Sequence, residues 1–236
     1  MKHFVSAFLA TSLLAPPVFA DTESTSRTGA SPVSQSAPEA WMPDDGDVIR
    51  FNVYRKGNKE FGTHIVRFDV DSDGSFKATS DVDLKAGLGP ITLFRYSLDA
   101  TETWEGGNLV ALEGSTNDDG DKESVSATAA TGSLKVDGTG YTGSAPISII
   151  PSSHWNIQQV FSSEILSTEN GELLETDVTN LGHDTVEVNG EPVNTTHYRL
   201  KSDLTVDLWY DEQNRWVQLS FDARGQRIEY RLAELY

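Results

Sequence analysis

Four apolar stripes near the C-terminus constrain this chain more than any other feature. Tyr198 and Leu200, then Leu204, Val206, Leu208 and Tyr210, then Val217, Leu219, Phe221 and Ala223, then Ile228, Tyr230 and Leu232 recur at every second residue. Successive side chains of a strand point to opposite faces, so a slip of one residue would expose a whole stripe. The four stripes must therefore share one face of a meander. That requirement predicts a three-residue turn at Lys201-Ser202-Asp203, a four-residue loop from Asp211 to Asn214 and a two-residue turn at Arg224-Gly225. Asn189-Gly190, just upstream, is a strong two-residue hairpin signal. The resulting register places His197 opposite Asp207 and Trp209 opposite Trp216.

The same alternation runs through the preceding chain. Ile49, Phe51 and Val53 alternate with polar neighbours, a turn at Lys56-Gly57-Asn58 leads into a strand ending near Val70, and Asp71-Ser72-Asp73-Gly74 turns into Phe76, Ala78, Ser80, Val82 and Leu84. After the break at Gly87-Leu88-Gly89-Pro90, a long strand from Ile91 to about Trp104 turns at Gly106-Gly107-Asn108 and returns through Leu112. Weaker strands near Ser124 to Ala129 and Ser133 to Val136 carry small polar residues and are expected at an edge or on a flap. One segment departs from the pattern: Ile157, Val160, Phe161 and Ile165 have helical spacing, with Asn156 as N-cap and Asn170-Gly171 as a stop. The expectation is an all-β, mainly antiparallel fold, a curved sheet or incomplete barrel of long hairpins with one short amphipathic helix over Asn156 to Leu166.

Residues 1–20 read as a cleavable signal peptide: Lys2, an apolar run from Phe4 to Leu14, and Val18-Phe19-Ala20 at the cleavage position. The run is too short to span a bilayer, so a cleaved leader is expected rather than an uncleaved anchor, and no later stretch is apolar enough for a membrane span. Residues 21–45 are Thr, Ser, Ala, Pro and Glu with little to bury, a disordered linker, and residues 46–236 form a single β domain. There is no Cys, so an extracytoplasmic domain of this kind must be held by its core alone. The formal net charge of −18 disfavours nucleic acid and anionic lipid surfaces. The expected address is the periplasm.

The polar face of the meander carries His197, Arg199, Asp207, Trp209, Trp216, Gln218, Asp222 and Arg227. Aromatic rings beside a few polar groups are how many binding sites are built, although cross-strand pairs of this kind also serve purely to stabilise a sheet. A Ser-His-Asp reading can be assembled from Ser152 or Ser153, His154, His197 and Asp207, but neither serine has a nucleophile elbow around it. His64, His154, His183 and His197 lack paired ligand spacing, and no cofactor or metal is expected. Asp69 to Gly74 opens like an EF-hand loop, yet Ser80 stands where the bidentate Glu belongs, so a hairpin turn is the better reading; Asn117 to Asp121 is a second acidic turn.

Through Ser153-His154-Trp155-Asn156, His197-Tyr198-Arg199-Leu200 and Asp207-Leu208-Trp209-Tyr210-Asp211, the chain resembles a family of uncharacterised proteobacterial exported proteins, over about Asp47 to Leu232. That resemblance implies no catalytic roles. In architecture the hairpins plus a helix look like the half-barrel of the periplasmic lipoprotein carriers LolA and LolB. Three functions follow as expectations. A half-barrel could bind an apolar or amphipathic small molecule near His154, Trp155, His197, Arg199, Asp207, Trp209 and Trp216. A cofactor-independent enzyme could use His197 oriented by Asp207, and an envelope module could bind only other proteins.

Overall fold

A computed structural model describes residues 37–88, 91–223 and 225–235. The leader expected at 1–20 lies outside the described residues, as does most of the expected linker. Strands β1 (Val48–Arg55), β2 (Lys59–Val70), β3 (Phe76–Leu88), β4 (Ile91–Glu105) and β5 (Asn108–Asp118) form successive hairpins. They continue into β6 (Asp121–Ala130), β7 (Ser133–Gly138) and β8 (Thr142–Pro146). A short insertion follows, with β9 (Ile150–Pro151), a 3-10 turn at Ile157–Phe161, β10 (Glu164–Leu166) and β11 (Leu173–Glu175). The chain then completes β12 (Asp177–Val188), β13 (Glu191–Lys201), β14 (Thr205–Asp211), β15 (Trp216–Ala223) and β16 (Gln226–Leu235).

Thirteen of these strands make one antiparallel sheet in the order β12-β13-β14-β15-β16-β1-β2-β3-β4-β5-β6-β7-β8, and the other three a small sheet in the order β11-β10-β9. The sheet is not closed; β12 and β8 are its edges. The β6 and β7 strands expected at an edge or on a flap instead lie inside it, covered by β8. One face carries the core: Ile49, Phe51 and Val53 of β1, Phe76, Ala78 and Val82 of β3, Leu98 and Trp104 of β4, and Leu208, Leu219 and Tyr230 of the meander are all buried. The sheet bends around this inner face. The His154 carbonyl accepts a hydrogen bond from the Tyr210 hydroxyl of β14, and the next residue, Trp155, donates to Glu102 of β4, six strand spacings away along the sheet, which would be roughly 29 Å in a flat sheet.

The expected helix over Asn156 to Leu166 is corrected. Asn156 does cap, accepting from the Gln158 amide, but the turn is 3-10 and ends at Phe161. Ser162 is extended, and Glu164–Leu166 pair with Leu173–Glu175 as strand. The apparent helical spacing combined an i, i+3 pair in the 3-10 turn with Ile165 of a strand. The insertion lies on the inner face, where the sheet makes room for it with glycine: a Cβ at Gly114 would collide with the Thr168 carbonyl, and one at Gly138 with that of Asn170. Trp155, Ile157, Val160, Ile165 and Leu166 are at most 4% exposed. At about 1.5–3 kcal/mol each, their burial amounts to roughly 10 kcal/mol. That gross gain is partly offset by the entropy of ordering the segment, and it makes the insertion part of the core.

The ordered unit reaches back to Pro38, so the end of the expected linker is fixed. Trp41 packs edge-on against Phe68 with ring centroids 5.3 Å apart, and Asn214 donates to the Glu39 carbonyl at 3.0 Å. Asp71-Ser72-Asp73-Gly74 is a hairpin turn, with Asp73 accepting from the Ser75 amide and hydroxyl. Among the described residues no helix is long and apolar enough to cross a membrane.

Candidate functional site

The polar face of the meander is a ladder of paired charges. In β13 and β14, Arg199 rather than His197 stands opposite Asp207, and His197 stands opposite Trp209. The expected register is thus corrected by two residues. The three-residue connection is Ser202-Asp203-Leu204, because Lys201 pairs with Thr205. Arg199 grips the Asp207 carboxylate with both arms, Nε to Oδ1 at 2.8 Å and Nη2 to Oδ2 at 3.0 Å, while Arg227 Nη2 approaches Oδ2 at 3.3 Å. Burial pushes the Asp207 pKa up, but these guanidinium bonds outweigh it and hold the group below the usual carboxylate range. His197 lies flat on Trp209 with centroids 4.1 Å apart. Its Nε2 is 3.3 Å from Asp207 Oδ1 without the alignment of a hydrogen bond. Trp209 Nε1 donates to Asp184 of β12 at 2.8 Å. An aspartate already neutralised by two arginines is a poor partner for a general base, so this geometry stabilises the sheet and gives the His197/Asp207 acid-base reading no support.

Trp216 is not on that face. Tyr210 pairs with Trp216 and Trp209 with Gln218, so Val217 is the extra residue of a β-bulge, and Trp216 turns inward. There it is fully buried against Phe51 at 4.1 Å, His64 at 5.2 Å and His154 at 5.5 Å between ring centroids. Ser153 and Trp155 are buried and His154 is half-buried against Trp216, all on the opposite side of the sheet from His197 and Asp207, which dissolves the Ser-His-Asp grouping.

His154 sits at φ 70°, a left-handed conformation held by its surroundings. Gln159 bridges His154 Nδ1 at 3.0 Å and the Tyr210 hydroxyl at 2.7 Å, and that hydroxyl donates back to the His154 carbonyl at 2.8 Å. Burial lowers the His154 pKa to about 4 and the His64 pKa to about 3, His154 adding to the latter. Glu102 lies at the other end of the interior, its Oε2 accepting from Trp104 Nε1 at 2.8 Å and Trp155 Nε1 at 3.2 Å. Burial raises its pKa to about 7, which those bonds and the neighbouring Ser153 only partly oppose; the Ser153 hydroxyl has no aligned partner. Trp155 therefore ties the insertion to β4 through a buried carboxyl. His64 Nε2, Ser80 Oγ and Thr116 Oγ1 are buried without hydrogen bonds.

The β1–β2 end of the inner face is built differently. A row of paired positions runs Leu219, Tyr230, Val53, Gly62, Leu84 and Tyr96 across β15, β16, β1, β2, β3 and β4. Gly62 is required there, because a Cβ would collide with the Asp83 backbone carbonyl of β3. Tyr96 and Glu169 are linked above this row, both only partly buried, and burial raises the pKa of each. One inward position further out lie Phe221, Ile228 and Arg55 on neighbouring strands, with Ala86 and Phe94 paired beyond. Phe61 is the bulged residue of β2. Phe61, Phe94 and Phe221 are partly exposed while packing on the core. Sequence reasoning missed this group. One signal was present: Arg55 falls in step with Ile49, Phe51 and Val53, a cation where the apolar stripe should continue.

The described residues contain no group of three or more His, Asp or Glu side chains placed to hold a metal. Taken together, the chain is an all-β domain whose large open antiparallel sheet packs an inserted segment against one face. Residues 51–233 match the model of DUF6134, a domain of unknown function, and the chain belongs to that family. No curated protein matches it in sequence. In fold it is similar to the crystal structure of a β-barrel-like protein of domain of unknown function DUF1849 from Brucella abortus, with a TM-score of 0.57 and 9% identity. That alignment covers 81% of this chain and 98% of the other.

Proposed function

We propose that this chain is an exported binding module of the cell envelope, a half-barrel that holds an apolar or amphipathic small molecule at the β1–β2 end of its inner face. The observation that carries this reading is the group of partly exposed aromatic side chains, Phe61, Phe94 and Phe221, gathered at one end of an otherwise buried face. Apolar surface next to a few polar groups, here Tyr96, Glu169 and Arg55, is the usual make-up of a small-molecule site. The middle of the inner face does not serve, since the insertion fills it with buried Trp155, Ile157, Val160, Ile165 and Leu166. The leader pattern of residues 1–20 supports export.

The test is native mass spectrometry of protein purified from a bacterial periplasm, followed by organic extraction of what co-purifies. A stoichiometric apolar adduct that is lost in a Phe61→Ser, Phe221→Ser variant, and kept in a Trp209→Phe variant, supports the reading. Retention in the cytoplasm, or a clean apo mass together with no binding of alkyl-chain probes, refutes it and leaves the protein-binding alternative.

A further inference from the structure

We infer that the ligand site at the β1–β2 end recognises an oxyanion head group on a single apolar chain, with Arg55 as the recognising cation; this rests on the binding reading above and specifies its ligand. Arg50, Arg199, Arg215, Arg227 and Arg231 each hold a carboxylate in an ion pair. Arg55 does not. Among the described residues no carboxylate stands within ion-pair distance of it, in a chain where acids outnumber bases 36 to 18. Its guanidinium carbon lies 5.7 Å from the Phe61 ring centroid, and Nη1 makes one long bond, 3.5 Å, to Gln226 Oε1. Its Nε is buried with no hydrogen-bond partner. A buried guanidinium nitrogen without an acceptor is costly unless something else supplies one. Once the side chain turns Nε out of its buried position, the planar fork of Nε and Nη matches a carboxylate or phosphate in two-pronged fashion.

Position makes the rest of the case. Arg55 pairs with Ile228 on one side and Lys59 on the other, so it belongs to the inward row that also contains Phe221. Lys56 and Lys59, both exposed, flank it on the β1–β2 turn. A head group seated on Arg55 would leave its chain lying over Phe61, Ile228 and Phe221. The overall charge of −18 opposes anions only at long range. At physiological ionic strength that field is screened beyond about 8 Å, whereas a contact with Arg55 is not. A polyanion or an anionic membrane surface meets the whole acidic surface, while one oxyanion on one chain meets only the basic end.

Isothermal titration of the mature protein with dodecanoate, dodecyl phosphate, dodecanol and dodecyltrimethylammonium, each below its micelle concentration, tests the assignment. The expected result is oxyanion binding at least about tenfold tighter than dodecanol, with the cationic probe weakest. Arg55→Gln should abolish that preference and leave dodecanol binding unchanged, and Arg55→Lys should restore most of it. Tighter binding of dodecanoate than dodecyl phosphate identifies a carboxylate, and the reverse a phosphate monoester. Equal binding of dodecanoate and dodecanol, or a preference that survives Arg55→Gln, overturns the role of Arg55 and leaves the binding module standing. If none of the four probes binds, the binding module fails as well.

Discussion

Replacing Glu102 by Gln should stabilise the protein at alkaline pH and do little at acidic pH. The carboxyl is buried, its pKa is raised to about 7 from an ordinary 4.5, and two indole N–H groups donate to one of its oxygens. A group whose folded pKa is raised contributes stability that is complete below the unfolded value and is lost as pH rises through the folded one. Two and a half units correspond to about 3 kcal/mol of strain in the ionised form. Gln keeps an oxygen for both indoles and has no charge to desolvate. The gap between variant and wild type should therefore be about 3 kcal/mol near pH 8.5 and shrink below about 1 kcal/mol near pH 5. Any constant offset from the amide's own partners cancels in that difference. Urea denaturation followed by tryptophan fluorescence at the two pH values measures it. A gap independent of pH would show that Glu102 is ionised in the folded protein, and the burial argument would be wrong.

Three further outcomes are expected. His64 and His154, held neutral by burial, should make the Glu102→Gln variant lose about 3 kcal/mol between pH 6.5 and 5, because the unfolded chain takes up protons there and the folded one does not; unchanged urea midpoints over that window would contradict this. Trp216→Ala should cost about 3–5 kcal/mol, since the ring is fully buried among Phe51, His64 and His154, whereas a residue on the outer polar face would cost little when measured by the same denaturation. Asp207→Asn should cost only about 1 kcal/mol, because both arginines are over 40% exposed and can return to water; a loss above about 3 kcal/mol would mean the ladder is far less solvated than it looks.

Much of the architecture was legible from local chemistry. The hairpin at Asn189-Gly190 is as expected, Val188 pairing with Glu191, and the strands on either side of Gly225 meet in the expected register, Ala223 with Gln226. Glycine and asparagine state a tight turn in their own backbone preferences. Of the candidate residues, His197, Arg199, Asp207 and Trp209 do come together on one face, while His154, Trp155 and Trp216 belong to the interior. The aromatic and Arg55 end escaped notice because its members are separated in sequence by up to 166 positions, from Arg55 to Phe221. Only the sheet order makes them neighbours.

What the sequence by itself determined was parity. Alternation places each side chain on one face or the other, and a shift of two residues leaves that assignment intact, which is why the β13–β14 register could be misread while the faces stayed right. Parity says nothing about which of several equivalent pairings packs best or where a bulge intervenes. Trp216 turned inward because Val217 is looped out of the ladder, and nothing in the local pattern distinguishes that from an unbroken strand. The insertion is the other case. Ile157, Val160 and Ile165 satisfy a helical period, yet the segment folds as a short 3-10 turn and a strand pair whose connection presses the Thr168 and Asn170 carbonyls onto Gly114 and Gly138. Those contacts exist only after the sheet has curled, so tertiary packing decided it.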